Sequence, residues 1–178
     1  MLPILLAIAF IAILFIVVVA GRPDEFKVCR SANISAPPEK IFPHVNDLHK
    51  WEAWSPWAKL DPNAKNSFEG AASGTGAAMS WSGNKKIGEG RMTITGSQAN
   101  ELIRFKLEFI RPFKATNTAE FVFKSEGNQT AVTWSMSGKS NFFFKAFGLF
   151  MDCDKMAGND FEKGLASIKS LVEAAGRP

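Results

Sequence analysis

Glu101-Leu102-Ile103-Arg104-Phe105-Lys106-Leu107-Glu108-Phe109-Ile110 is the stretch on which the reading of the fold turns. Ile103, Phe105, Leu107 and Phe109 fall on one face of an extended chain, and Arg104, Lys106 and Glu108 fall on the other. Successive side chains of a strand point to opposite faces, so this period of two predicts a strand with one apolar and one solvated face. The alternation recurs at Met79 and Trp81, at Met92 and Ile94, at Phe121 and Phe123, and at Val132, Trp134 and Met136. Ser82-Gly83-Asn84 and Glu126-Gly127-Asn128 place turn residues between such runs, as antiparallel hairpins require. Phe26 to Ser35 reads as a first strand, and an antiparallel sheet of six or seven strands follows.

The apolar face of that sheet needs a cover. Phe161, Leu165, Ile168 and Val172 recur at spacings of four, three and four, which sets them on one stripe of a long C-terminal helix. Pro37-Pro38-Glu39 puts prolines at a helix opening and a carboxylate in its first turn, where both are favoured. Ile41, Phe42 and Val45 give this second helix an apolar side. Trp51-Glu52-Ala53-Trp54-Ser55-Pro56-Trp57 reads as an aromatic-rich helix end or loop. One sheet and one covering helix make a two-layer α+β domain, and a strongly curved sheet would enclose a cavity beneath the helix.

Leu2 to Ala20 carries no charge and, apart from Pro3, only apolar residues. As a helix it rises roughly 28 Å, close to the ~30 Å of bilayer hydrocarbon. An uncleaved transmembrane anchor over residues 1–21, ahead of a domain over 22–178, is the favoured reading. A cleaved signal peptide competes, because Val18-Val19-Ala20 resembles a cleavage site, but a basic n-region is missing and the run is longer than a usual h-region. A buried core helix would need a domain to surround it, and the rest of the chain supplies a core of its own. Arg22, Lys27, Arg30 and Lys40 follow the run with no basic residue before it, which weakly favours the cytoplasmic side for the domain.

Composition narrows the function classes. A 46% hydrophobic, 21% charged chain is neither disordered nor collagen-like. Cys29 and Cys153 are too few for a disulfide scaffold or a cysteine zinc site; unpaired they suit a reducing compartment, and a pair remains open. A net charge of +4 spread over single basic residues gives no nucleic-acid signal.

Ile34-Ser35-Ala36-Pro37-Pro38-Glu39-Lys40-Ile41-Phe42 with Trp51 to Trp57 resembles the opening of the SRPBCC superfamily, the START-like or Bet v 1-like helix-grip domains. The match is to its polyketide cyclase/dehydrase and lipid-transport branch. Gly88-Glu89-Gly90-Arg91-Met92, Val132-Thr133-Trp134-Ser135-Met136-Ser137-Gly138 and Phe161-Glu162-Lys163-Gly164-Leu165 extend the resemblance over residues 26 to 175. It implies a curved seven-stranded antiparallel sheet wrapped around the C-terminal helix, with two short helices between the first and second strands. It also implies a deep apolar pocket for lipids, sterols, polyketides or similar hydrophobic molecules, in a family of which only some members are enzymes.

No catalytic constellation emerges. There is no Gly-x-Ser-x-Gly elbow, and His44 and His49 are badly spaced for a metal pair on a helix; both read as surface or capping histidines. Met151-Asp152-Cys153-Asp154 lacks the ligands a metal needs, and Asp152 or Asp154 reads as the N-cap of the last helix. Gly70, Gly74 and Gly76 read as strand and turn glycines. Glu89, Arg91, Arg104 and Glu108 would serve as pocket acids or bases only if they faced inward, and parity turns them outward. No cofactor or metal is expected.

The interior is built from sixteen Phe and five Trp with no Tyr, so it offers no phenol to orient a polar ligand. Candidate pocket residues are Trp54, Trp57, Met79, Trp81, Phe105, Leu107, Phe121, Phe123, Trp134 and Met136 from the first part of the domain, with Met156 and Leu165 from the last helix. The same side chains would also make a filled core. Asn141 to Met151 is the most apolar part of the domain, and Phe143, Phe147 and Phe150 share a helix face that is either a lid, a membrane strip or a packed edge. Three classes therefore stand open: a membrane-tethered binder or carrier of a hydrophobic small molecule, a cyclase or dehydratase acting on one, and a regulatory domain whose core is filled and whose protein partner is unknown.

Overall fold

The computed structural model describes residues 1–150 and 153–176. Its first element is α1 (Leu2–Ala20), followed after a four-residue link by β1 (Glu25–Ile34), α2 (Pro38–Asn46) and a 3₁₀ turn (Leu48–Ala53). Six strands come next: β2 (Lys65–Gly70), β3 (Ala77–Ser82), β4 (Glu89–Gln98), β5 (Leu102–Arg111), β6 (Ala115–Glu126) and β7 (Gln129–Lys139). A short α3 (Phe142–Phe147) and a long α4 (Cys153–Ala175) end the chain. The expected α+β helix-grip architecture is present.

All seven strands form one antiparallel sheet in the order β1-β7-β6-β5-β4-β3-β2. Strands β2 to β7 run as a meander and β1 joins beside the last of them, so the sheet edges are β1 and β2. Register shifts at Glu89/Gly90 and Ile94/Gly96 interrupt the β4–β5 ladder, and such irregularities bend and twist a sheet. The alternation read from the sequence is the observed one: Ile103 and Phe105 are buried while Arg104 is exposed. Edge strand β2, exposed along its whole length, has no buried face and hence no alternating signature.

The concave face is covered from two sides. From α2, Ile41, Phe42 and Val45 point into the core, and from α4 Phe161, Leu165, Ile168 and Val172 do the same. The 3₁₀ turn is tied to α2 by its indoles, for Trp51 Nε1 donates to the Val45 carbonyl and Trp54 Nε1 to the His44 carbonyl, each at 2.9 Å. These bonds let two large rings be buried without a polar cost. They also satisfy carbonyls at the C-terminal end of α2, which have no partner within the helix.

Helix α4 meets the sheet through rings. Trp134 of β7 lies parallel to Phe161 of α4, with centroids 4.1 Å apart and planes 6° off, and stacks on its other side with Phe121 of β6 at 4.7 Å. Gly164 allows this approach, since a Cβ there would lie 2.7 Å from the Trp134 ring. Held on both faces, that ring has no room to yield. Gly164→Val should therefore lower the unfolding free energy by about 2 kcal/mol, within the range for overpacked cores. A urea titration of the variant followed by tryptophan fluorescence reads this, and an unchanged midpoint would contradict the packing described.

Candidate functional site

The concave face has a closed half and a half-open half. In the closed half, Trp51 packs edge-on against Phe105 and Trp54 edge-on against Phe121. Phe42 meets Phe123 edge to face at 5.5 Å, a geometry aromatic rings favour. Trp54, Phe105, Phe121, Phe123, Trp134 and Leu165, six of the expected pocket residues, are fully packed here. They fill the space beneath the helices at this end.

Toward the other end the apolar side chains pack against this core but are less covered. The register sets Phe26, Gly138, Asn117, Leu107, Met92 and Met79 in one row across the sheet. Phe26, Leu107 and Met79 in that row are only partly buried, as are Trp81 and Met136 beside it. Four of the remaining expected pocket residues, Met79, Trp81, Leu107 and Met136, thus gather at this half-open end. Trp57 is also partly buried, but its ring meets Trp134 and Phe161 of the closed half edge to face. Met156 is 52% exposed on α4 and packs into neither half.

Asn117 is the polar side chain of the row and is buried. Its Nδ2 lies 3.8 Å from Met136 Sδ, a weak acceptor. Its Oδ1 sits where a Cβ on Gly138 would be, 2.1 Å from that position. An inward amide among Leu107, Met136 and Gly138 can orient a carbonyl or hydroxyl of an otherwise apolar ligand, but it has no strength as an acid or base. Sequence reading passed it over, although counting back by twos from Phe123 and Phe121 through Ala119 reaches it.

The same counting from Val28 reaches a second inward polar residue, Arg30. Its Nε donates to Glu162 Oε1 at 2.8 Å and its Nη2 to Asp154 Oδ2 at 2.9 Å, which pins the first turns of α4 to β1. The hydrogen bond from Arg30 holds the Asp154 carboxyl below its ordinary pKa. Asp154 accordingly lies inside the first turn as a partner of Arg30, not as a cap, and Asp152 lies outside the described residues.

The polar residues weighed as acids or bases face solvent. Arg104 pairs with Glu120, Lys106 with Glu108, Arg111 with Glu89, and Arg91 with Glu69 on the convex side. His49 stacks on Phe68 at 4.0 Å and approaches Asp47, while His44 is partly buried with its pKa lowered, first by that burial and then by Lys50. Among the described residues no group of His, Cys, Asp and Glu is placed to hold a metal. Cys29 is exposed, and its pairing with Cys153 falls on a side chain outside the description.

The candidate strip lies beside the end of α1. Phe143 and Phe150 are 83% and 80% exposed and Phe147 is about half exposed, so the packed-edge reading does not describe these side chains. Helix α3 contacts α1, and Arg22 Nη1 donates to the Gly148 carbonyl at 3.1 Å. Of α1 itself only Val19 is buried, which sets it apart from a core helix, and its length and hydropathy suffice to cross a membrane.

Comparison with known proteins agrees with this architecture. A family model described as polyketide cyclase / dehydrase and lipid transport matches residues 25–173. No curated protein matches the chain in sequence. Among solved structures, protein MLL2253 from Mesorhizobium loti is similar with a TM-score of 0.64 at 16% identity, over 85% of this chain and 100% of that one. The Aha1 dimer from Colwellia psychrerythraea gives 0.61 at 17% identity over 85% and 99%, and CalU16 from Micromonospora echinospora 0.57 at 12% over 85% and 77%. At such identities the likeness is one of fold alone.

The Arg30 contacts generate a pH-dependent expectation. Because the folded-state pKa of Asp154 is depressed, its contribution is complete above the ordinary carboxylate range and is lost as pH falls through the folded value. Arg30→Gln should therefore destabilise the domain at neutral pH and speed amide exchange at residues 154–162. The difference from the parent should shrink as pH drops below about 4. Urea midpoints compared at pH 7 and pH 3 test this; a difference that does not change with pH would assign the loss to packing alone.

Proposed function

The chain belongs to the polyketide cyclase/dehydrase and lipid-transport family, and from that premise we propose that it is a membrane-tethered module that binds a hydrophobic small molecule. The molecule lies on the half-open end of the concave face, against Met79, Trp81, Leu107 and Met136. The observation that carries this reading is the contrast between the two halves of that face. One is packed by rings, whereas the other leaves large apolar side chains partly exposed around a single inward amide. Pockets for small molecules are built in this way, mostly apolar with a few placed polar groups.

Asn117 serves as the orienting group. Its amide both donates and accepts, so it suits the hydroxyl of a sterol, the carboxyl of a fatty acid or the carbonyl of a polyketide. Cyclase or dehydratase chemistry would need a titrating group at this position, and the carboxylates and histidines near the sheet are directed elsewhere. Binding or carriage is therefore favoured over catalysis. Tethering rests on α1, whose apolar surface is solvent-facing except at Val19. The basic residues that follow it favour a domain on the cytoplasmic side.

The test is native mass spectrometry of residues 22–178, which contain the whole family match, purified without detergent. A small-molecule adduct released on denaturation, or taken up from a panel of fatty acids and sterols, is expected. Leu107→Trp should reduce occupancy about tenfold, the effect of losing roughly 1.4 kcal/mol of binding free energy. Failure to retain or take up any ligand by a folded domain would overturn the proposal in favour of a regulatory domain with a filled core.

A further inference from the structure

We infer that α3 and the β5–β6 turn form a second membrane contact, a phenylalanine patch seated in the headgroup layer of the same bilayer that α1 enters. This rests on the anchor reading of α1 given above. Phe143 and Phe150 are almost wholly exposed, Phe142 and Phe147 about half, and Phe113 of the β5–β6 turn is 65% exposed with its ring 6.1 Å from that of Phe144. Soluble surfaces rarely gather apolar side chains in this way.

The polarity of α3 is inverted relative to a helix that faces water. Its charged residue, Lys145, has a side chain only 10% exposed and pairs with the exposed Asp24, while the phenylalanines point out. The patch is also held in place. Asn141 Oδ1 accepts from the Phe144 amide at 2.9 Å, Lys145 pairs with Asp24, and Arg22 reaches the Gly148 carbonyl.

Depth follows from where α3 meets α1. Val19, the buried residue of α1, precedes the end of the helix at Ala20 by one position. At 1.5 Å of rise per residue it is within about 3 Å of the link to the domain. The polar layer on each side of a bilayer is roughly 5–7 Å thick. If α1 spans the hydrocarbon, a helix packed at its last turn lies in that layer, and outward phenylalanines reach the acyl boundary. Arg22, Lys114 and Lys139, close to the patch in the chain, are exposed, and basic side chains beside a membrane surface are drawn to its anionic lipids. Strand β7 runs straight into α3, so the patch adjoins the half-open end of the concave face, and a ligand leaving the bilayer enters the domain beside it.

The test uses the full chain in phospholipid nanodiscs, with Cys29→Ser and Cys153→Ser as background and single spin labels at Phe10→Cys, Phe143→Cys, Phe150→Cys and Asn128→Cys. Collision with oxygen against a water-soluble nickel complex reads depth. The labels at 143 and 150 should exceed the label at 128, on the far β6–β7 turn, by about threefold or more in the oxygen-to-nickel ratio, as expected for interfacial burial. Two exposed sites guard against a local fault at one of them. A deep label at 10 with aqueous labels at 143 and 150 would overturn the patch and leave the anchor standing. An aqueous label at 10 would overturn the anchor and the patch together. Dipolar broadening at 143 that disappears on dilution with unlabelled chain would overturn it in favour of contact between two copies.

Discussion

Trp134 is stacked on both faces, by Phe121 from the sheet and by Phe161 from α4, and Gly164 leaves out a side chain that would hold the helix away from that ring. This contact fixes the height of α4 above the sheet, and the Arg30 bonds to Asp154 and Glu162 fix its direction. The rest of the concave face is set by these two restraints. Rings fill the part that α4 and the 3₁₀ turn reach, and what they do not reach remains partly open. Each aromatic pair contributes about 0.5–1.5 kcal/mol beyond its buried area, so the closed half can stay rigid while the other half stays open.

Much of this was legible in the sequence because burial in a two-layer domain leaves a periodic trace. Ile103, Phe105, Trp134, Phe161 and Leu165 announce themselves by periods of two and of three to four. The edge strand β2 leaves no such trace, since water meets both of its faces. Asn117 and Arg30 were hidden for a different reason. Each is a polar residue on an inward face, and attention to apolar runs skips them unless the parity is carried through the whole strand. Met156 shows the converse limit, because an apolar residue at the beginning of a helix need not lie on its buried stripe.

The division of the candidate site into two halves could not be read from composition at all. Large apolar side chains make up most of both halves, and the angle and reach of α4 decide which of them are covered. Sequence spacing specifies a residue's face with confidence but says little about how far along a strand the covering helix extends. The phenylalanines of α3 were visible as an excess of apolar residues. Their exposure, and their position beside the end of α1, come from tertiary structure, in particular from the pairing of a covered Lys145 with Asp24.

Only residues 21–24 separate α1 from β1, and at about 3.4 Å per residue they reach no further than roughly 14 Å. With α1 in a bilayer, that leash is shorter than the domain is long, and the Arg22 bond to Gly148 takes up part of its slack. Such a domain can neither turn over nor cross to a neighbouring membrane. On the proposed tether, a bound molecule would be collected and returned within one leaflet's surface, with its range set by lateral diffusion in two dimensions and not by travel through the surrounding water.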